Sequence, residues 1–281
     1  MARELPARAR GFLDGGRKAR LVALDMDGTL LERGSAISDG NAAAVRAAVA
    51  AGVQIVLATS RWYVLAKRTA DLLGITAPLI CHNGALIRGP HDDAPLLDLI
   101  IPTGTATEIA RIADDAGYEG MVTVDNVTYL AAGRAEGDAS RLPAGIVLTQ
   151  RLSAHIAAGA QAFLFFGQEA VDGVRARLDG RHDGALTLAR GYSETFPPYL
   201  NIVHGAADKG RALLMVCERL GVEPDEVMAI GDAAPDLEMM RVAGLSVAMG
   251  NAPPEVQAEV DVVAPDNRED GVAWAIRRFA L

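Results

Sequence analysis

Cysteine is almost absent from this chain. There are two in 281 residues, Cys81 and Cys217, far apart and each inside an apolar run. No disulfide framework and no cysteine-rich zinc site follow from such usage, and two buried free thiols are the expectation. The five histidines are scattered without ligand-like spacing. Positive charge is also short: Lys+Arg total 27 against 36 Asp+Glu, a formal net charge of -9. That sign repels nucleic acid and anionic lipid, so neither is expected as a partner. An acidic protein that handles a phosphate must build a local positive site, which a metal ion and a few donors would supply. No apolar stretch is long enough to span a membrane. The opening residues, MARELPARARGFLDGGRKAR, are basic but lack the apolar centre of a secretion signal. Residues 1–19 therefore read as a loose arm, and a cytoplasmic location is expected. Oligomeric state is not legible.

What is present is a full complement of core-forming residues. Half of the chain is hydrophobic, enough for one large α/β domain or two smaller ones. Apolar runs alternate with helical patterns at the start. Leu21 to Asp25 and Val53 to Thr59 read as buried strands, Asn41 to Ala51 and Trp62 to Leu73 as helices ended by Gly52 and Gly74, and Pro78 to Cys81 as a third strand. Runs that are polar only at their ends suit parallel strands covered on both faces. From about Gly84 to Gly205 strand-like runs crowd together, interrupted by helical segments near Thr105 to Ala116 and Glu169 to Leu178. Close spacing reads as largely antiparallel pairing, with a hairpin at Asp125-Asn126. After Asp208 the alternation returns, with a helix from Lys209 to Leu220, a strand from Glu226 to Asp232 and a helix from Asp236 to Ala243. The fold class this predicts is α/β: a doubly wound parallel sheet built by both ends of the chain, with an inserted α/β domain. The boundaries expected are 20–84 and 206–281 for the core and 85–205 for the insertion.

Several core segments end in reactive polar residues directly after a predicted strand, where open α/β sheets bind ligands. Asp25 and Asp27, two apart as a strand runs out, can leave on the same side, and Gly28 permits a tight turn. Paired carboxylates suit phosphoryl transfer when one is an ionised nucleophile and the other a proton donor and acceptor. A solvated Asp-Gly-Thr turn would look the same. Thr59 and Ser60 stand at a strand-to-helix junction that favours an anion, or simply caps the helix. Lys209 opens a helix, an unfavourable place for a cation unless a phosphate or carboxylate is held nearby. Asp232 and Asp236 are spaced to share a face, and with Asp25 they could form an oxygen-rich site suited to Mg²⁺.

The ordered set Asp25-x-Asp27-Gly-Thr, Thr59-Ser60, Lys209-Gly and Gly-Asp232-x-x-x-Asp236 resembles the four motifs of the haloacid dehalogenase superfamily. An insertion between the second and third motifs resembles the Cof-type sugar-phosphate phosphatases, whose insertion is a cap over the crevice. The resemblance implies a phosphoric monoester hydrolase: Asp25 as nucleophile and metal ligand, Asp27 as general acid and base with its carbonyl on the metal, Asp232 as ligand and Asp236 as ligand or support. It implies Thr59, Ser60 and Lys209 as the phosphate-binding set, Mg²⁺ as cofactor, and a small phosphorylated metabolite, such as a sugar phosphate, as substrate. A phosphomutase or phosphotransferase using the same aspartyl-phosphate is the alternative. Ser60 stands where the family usually has glycine, Pro235 where it has asparagine, and Asp208 where it has serine or a neutral residue. The first two keep open a weakened site that binds phosphate ligands without turnover; Asp208 reads simply as a cap of the helix. Asn83-Gly84 marks the expected hinge and site edge.

Overall fold

The computed structural model of the protein describes residues 7–32, 36–92, 94–132, 145–191 and 198–281. The chain forms two compact units. The first comprises Met1–Thr59, Ala66–Leu96 and Asp208–Leu281, and the second Ser60–Leu65 and Leu97–Ala207.

In the first unit, β1 (Leu21–Leu24), β2 (Gln54–Leu57), β12 (Val227–Gly231), β13 (Leu245–Ala248) and β14 (Val262–Val263) form one sheet in the order β14-β13-β12-β1-β2. All of its pairings are parallel. β1, β12 and β13 are buried along their whole length, as parallel strands covered on both faces must be. Helices α2 (Asp39–Ala50), α3 (Tyr63–Leu73), α6 (Lys209–Leu220), α7 (Leu237–Val242), α8 (Pro254–Gln257) and α9 (Gly271–Phe279) accompany these strands in sequence. From β1 the chain winds outward to β2, and from β12 it winds the other way to β13 and β14. The strand order therefore reverses between β1 and β12. Crevices at such reversals are where open α/β sheets hold ligands. The register at this seam pairs Leu24 with Ile230, so two segments about two hundred residues apart end side by side. Antiparallel β3 (Leu79–Cys81) and β4 (Leu86–Arg88) follow β2, joined to it by a bridge between Ala58 and Ile80.

The opening residues depart from the loose arm expected of them. Ala7–Leu13 form α1, with Ala9 and Phe12 buried and the helix packed near β13. Ala19 then donates its N–H to the Phe279 carbonyl at 2.7 Å. An apolar side chain in a basic stretch finds its burial site only in the folded sheet, which composition cannot reveal. Residues 1–6 lie outside the described part.

The second unit has a six-stranded sheet in the order β10-β11-β9-β6-β7-β8. Its strands are β6 (Gly120–Val124), β7 (Val127–Ala131), β8 (Ile146–Thr149), β9 (Ala162–Phe166), β10 (Leu186–Gly191) and β11 (Tyr199–His204). The short β5 (Leu97–Asp98) precedes α4 (Thr103–Ala116), and α5 (Gln168–Leu178) follows β9. α4 and α5 bury Ile109, Ala113, Val171 and Val174 against Val122, Phe163, Phe165 and Ile202 in one apolar core. The pairings are antiparallel as expected, except that β7 and β8 run parallel. Asp125 and Asn126 turn the β6–β7 hairpin, both with positive φ, the geometry a two-residue hairpin loop needs. The fold is thus a doubly wound α/β core with an inserted α/β domain. No described helix is long and apolar enough to cross a membrane. Cys81 and Cys217 are free and buried.

Candidate active site

Parallel pairing continues one residue past β1, where the Asp25 N–H donates to the Ile230 carbonyl at 3.0 Å. Asp25 therefore emerges next to the end of β12, one residue before Asp232. The chain then turns through Gly28 at φ +85. A Cβ on Gly28 would lie 2.3 Å from Oδ2 of Asp232, so both the turn and the close carboxylate require glycine. Thr29, fully buried, donates its hydroxyl to Asp232 Oδ1 at 2.6 Å. Asn251 donates from Nδ2 to the Gly28 carbonyl at 2.8 Å.

Lys209 opens α6 and is only 2% exposed. Its Nζ donates to Asp25 Oδ1 at 2.7 Å and to Asp236 Oδ1 at 2.6 Å. The other Asp236 oxygen, Oδ2, accepts the backbone N–H groups of Asp232 and Ala233, each at 3.0 Å. The sequence pattern predicts a helix that starts at Asp236. That residue instead closes a 3₁₀ turn, Ala234–Asp236, and α7 starts at Leu237. Pro235 sits within this turn, where its fixed φ fits and its missing N–H costs no bond. Asp232 and Asp236 thus meet through a carboxylate-to-amide bond rather than along one helix face. Asp208 caps α6 as expected, accepting the Arg211 N–H at 2.7 Å.

One carboxylate oxygen from each of Asp25, Asp232 and Asp236 lies within 4.8 Å of the other two. Three acidic groups here face one ammonium group. Burial, then repulsion from Asp236 and Asp232, push Asp25 well above the usual carboxylate range, and Lys209 offsets only part of this. Burial and the Asp236 charge raise Asp232 to about 7, and the charge of Asp27 adds to the rise. Burial pulls Lys209 down, but the Asp236 and Asp25 charges outweigh it and hold the ammonium form firmly. The cluster is short of positive charge. Asp25 Oδ2 and Asp232 Oδ2 accept no hydrogen bond among the described residues, whereas both oxygens of Asp236 are engaged. Unengaged carboxylate oxygens beside excess negative charge fit a hard divalent cation such as Mg²⁺.

Asp27 follows on the same turn and is exposed. Thr59, at the end of the strand beside β1, is fully buried, with its N–H on the Ile80 carbonyl at 2.8 Å and its own carbonyl accepting the Asn83 N–H at 3.0 Å. Ser60 follows Thr59 and falls in the second unit. His82, Asn83 and Gly84 all have positive φ, and a Cβ on Gly84 would meet the Asp208 carbonyl oxygen at 2.4 Å. His82 is buried with Nε2 unpartnered, and burial lowers its pKa to about 4.

Asp25, Lys209, Asp232 and Asp236 are therefore brought into direct contact, with Asp27 and Thr59 on adjoining strand ends. Sequence pattern alone does not single out Thr29 or Asn251. Thr29 stood inside the Asp-Gly-Thr string, and Asn251 follows the end of β13, one more strand terminus at the same edge.

The sequence pattern of the haloacid dehalogenase-like hydrolases matches residues 22–276. A 5-amino-6-(5-phospho-D-ribitylamino)uracil phosphatase of Bacillus subtilis is 29% identical over 266 residues, 93% of this chain and 96% of that protein. A pyridoxal phosphate phosphatase of Escherichia coli is 29% identical over 266 residues, 92% and 97% of the two chains. Among solved structures, a haloacid dehalogenase-like hydrolase from Bacteroides thetaiotaomicron superposes with a TM-score of 0.80 at 26% identity, covering 93% of this chain and 99% of that one.

Proposed function

This chain belongs to the haloacid dehalogenase-like hydrolases and is a phosphatase of their Cof type, and from that premise we propose that it hydrolyses a small phosphate monoester through a phosphorylated Asp25. The observation that carries this reading is the bond of Lys209 Nζ to Asp25 Oδ1 beside the Asp232 carboxylate. That pairing fixes one Asp25 oxygen and leaves the other unengaged. In the reaction, Asp25 Oδ2 attacks phosphorus and the ester P–O bond breaks. Asp27, on the exposed side of the turn, gives a proton to the leaving alkoxide. Asp27 then takes a proton from water as that water attacks the aspartyl-phosphate, releasing phosphate and restoring the Asp25 carboxylate.

Mg²⁺ held by the carboxylates of Asp25 and Asp232 and the backbone carbonyl of Asp27 would supply the positive charge that lets two anions approach. Asp236, with Oδ1 on Lys209 and Oδ2 on two amides, serves as the anchor of the site more than as a ligand. Thr59, the backbone of Ser60 after it and Lys209 bind the phosphoryl oxygens. Beside the covalent step on Asp25, charge stabilisation and positioning carry most of the catalysis. The domain assignment that goes with this is a core of 20–84 and 206–281 and a cap of 85–205. The named relatives act on different small phosphorylated metabolites, which supports a sugar phosphate or similar metabolite as substrate here.

The test is phosphate release from a panel of phosphorylated metabolites. Release with Mg²⁺, lost in EDTA and in Asp25→Asn, is the expected result. Release that survives Asp25→Asn would refute the role of Asp25.

A further inference from the structure

Lysine at the first position of a helix works against the helix dipole, and Lys209 occupies that position in α6. Its ammonium group must reach two carboxylates at once, so the placement of the first turn of α6 decides whether it can. Asp208 caps that turn locally, through the Arg211 N–H. A second carboxylate comes from another helix. Glu238, in the first turn of α7, accepts the backbone N–H of Lys209 itself on Oε2 at 3.0 Å. The two helices also meet backbone to backbone here, since a Cβ on Gly210 would lie 2.4 Å from the Glu238 carbonyl oxygen. Any side chain at 210 would push the helices apart.

Glu238 stands two residues after Asp236. One short stretch therefore grips Lys209 at both ends, Asp236 Oδ1 on Nζ and Glu238 Oε2 on the backbone amide. The arrangement brings a half-buried carboxylate near that of Asp208, which is unfavourable by itself. The unsatisfied first-turn amides of α6 offset it.

We propose that Glu238 is a positioning residue: it holds the first turn of α6 so that Lys209 Nζ bridges Asp25 and Asp236. This rests on the reading of Asp25 and Lys209 as the reaction centre. A side chain that only capped a helix would lower stability and leave turnover by the folded enzyme unchanged. Misplacing a catalytic group by about 1 Å costs up to about 100-fold.

The experiment compares Glu238→Ala and Glu238→Gln with the parent enzyme, on a substrate the parent hydrolyses, well below each protein's melting temperature. Glu238→Ala is expected to lower kcat about 10- to 100-fold with KM changed less than roughly threefold. Glu238→Gln keeps an acceptor oxygen and is expected to recover kcat to within roughly threefold. Parent kcat in Glu238→Ala, or equal loss in both variants, overturns the proposal. Crystal structures of the two variants give a readout without turnover: Nζ leaves Asp25 in the alanine variant and stays in the glutamine variant. Retention of both Nζ bonds in Glu238→Ala overturns the positioning role. A parent enzyme that releases no phosphate, with Nζ displaced in Glu238→Ala, refutes the phosphatase reading and leaves the positioning role standing.

Discussion

Replacing Lys209 with methionine removes the ammonium group that bonds both Asp25 and Asp236 and keeps most of the side-chain volume. Removing one partner of a buried ion pair costs about 3–5 kcal/mol, because the other charge stays buried and uncompensated. Two pairs share this lysine, but their energies are not additive, so the same range applies to the loss of both. The deficit has a defined pH dependence. Without the lysine, repulsion from the neighbouring carboxylates raises Asp25 and Asp232 further, and Asp232 is already at about 7. A carboxyl group raised in the folded state binds protons before its unfolded counterpart, so falling pH stabilises the fold. The variant should therefore be about 3–5 kcal/mol less stable than the parent at pH 8 in EDTA, and less than about 2 kcal/mol less stable near pH 5. Urea unfolding across that pH range measures it. Saturating Mg²⁺ at pH 8 should return part of the loss, since a cation bound only by the folded state stabilises it. A deficit under about 1 kcal/mol at pH 8, or one independent of pH, would refute the reasoning. Turnover should fall by about 10²–10³-fold.

Asp27→Asn should leave stability within about 0.5 kcal/mol, since Asp27 is exposed, and lower kcat by about 10²–10⁴-fold; phosphate release and a melting curve on one preparation check both. Gly28→Ala forces a Cβ into the Asp232 carboxylate at φ +85 and should cost about 1–3 kcal/mol in urea unfolding, with weaker Mg²⁺ binding by calorimetry. Because burial holds His82 at about 4, the unfolded chain protonates it first. Its share of stability is full above about 6.5 and falls toward pH 4 by about 3 kcal/mol. His82→Gln should lack that acid-side loss when its unfolding free energy is compared with the parent's at each pH.

The sheet at the site was legible because its strands are unbroken apolar runs with polar residues at their ends. Asp25, Thr59 and Asp232 each mark such an end, and the Lys209 helix begins and ends where its capping residues and Gly221 put it. Elements whose reason lies in a distant partner were hidden. Phe12 looks like a stray apolar residue until the sheet that buries it exists. The parallel pairing of β7 with β8 leaves no trace in the local pattern of either strand. Pro235 could be read as a first-turn helix residue, but the 3₁₀ turn it occupies is set by Asp236 accepting two amides behind it. Glu238 and Asn251 are residue types common on surfaces. Their partners, the Lys209 amide and the Gly28 carbonyl, are 29 and 223 residues away.

The phosphorylated carboxylate is most directly tested by chemical trapping. The enzyme is mixed with excess substrate and Mg²⁺, quenched during turnover and reduced with borohydride, which converts an aspartyl-phosphate into homoserine. Fragment masses of the peptide Leu21–Arg33 should then place homoserine at position 25 and leave Asp27 intact. Homoserine at position 27, or an unmodified peptide from enzyme caught while phosphate is being released in a burst, would contradict the account.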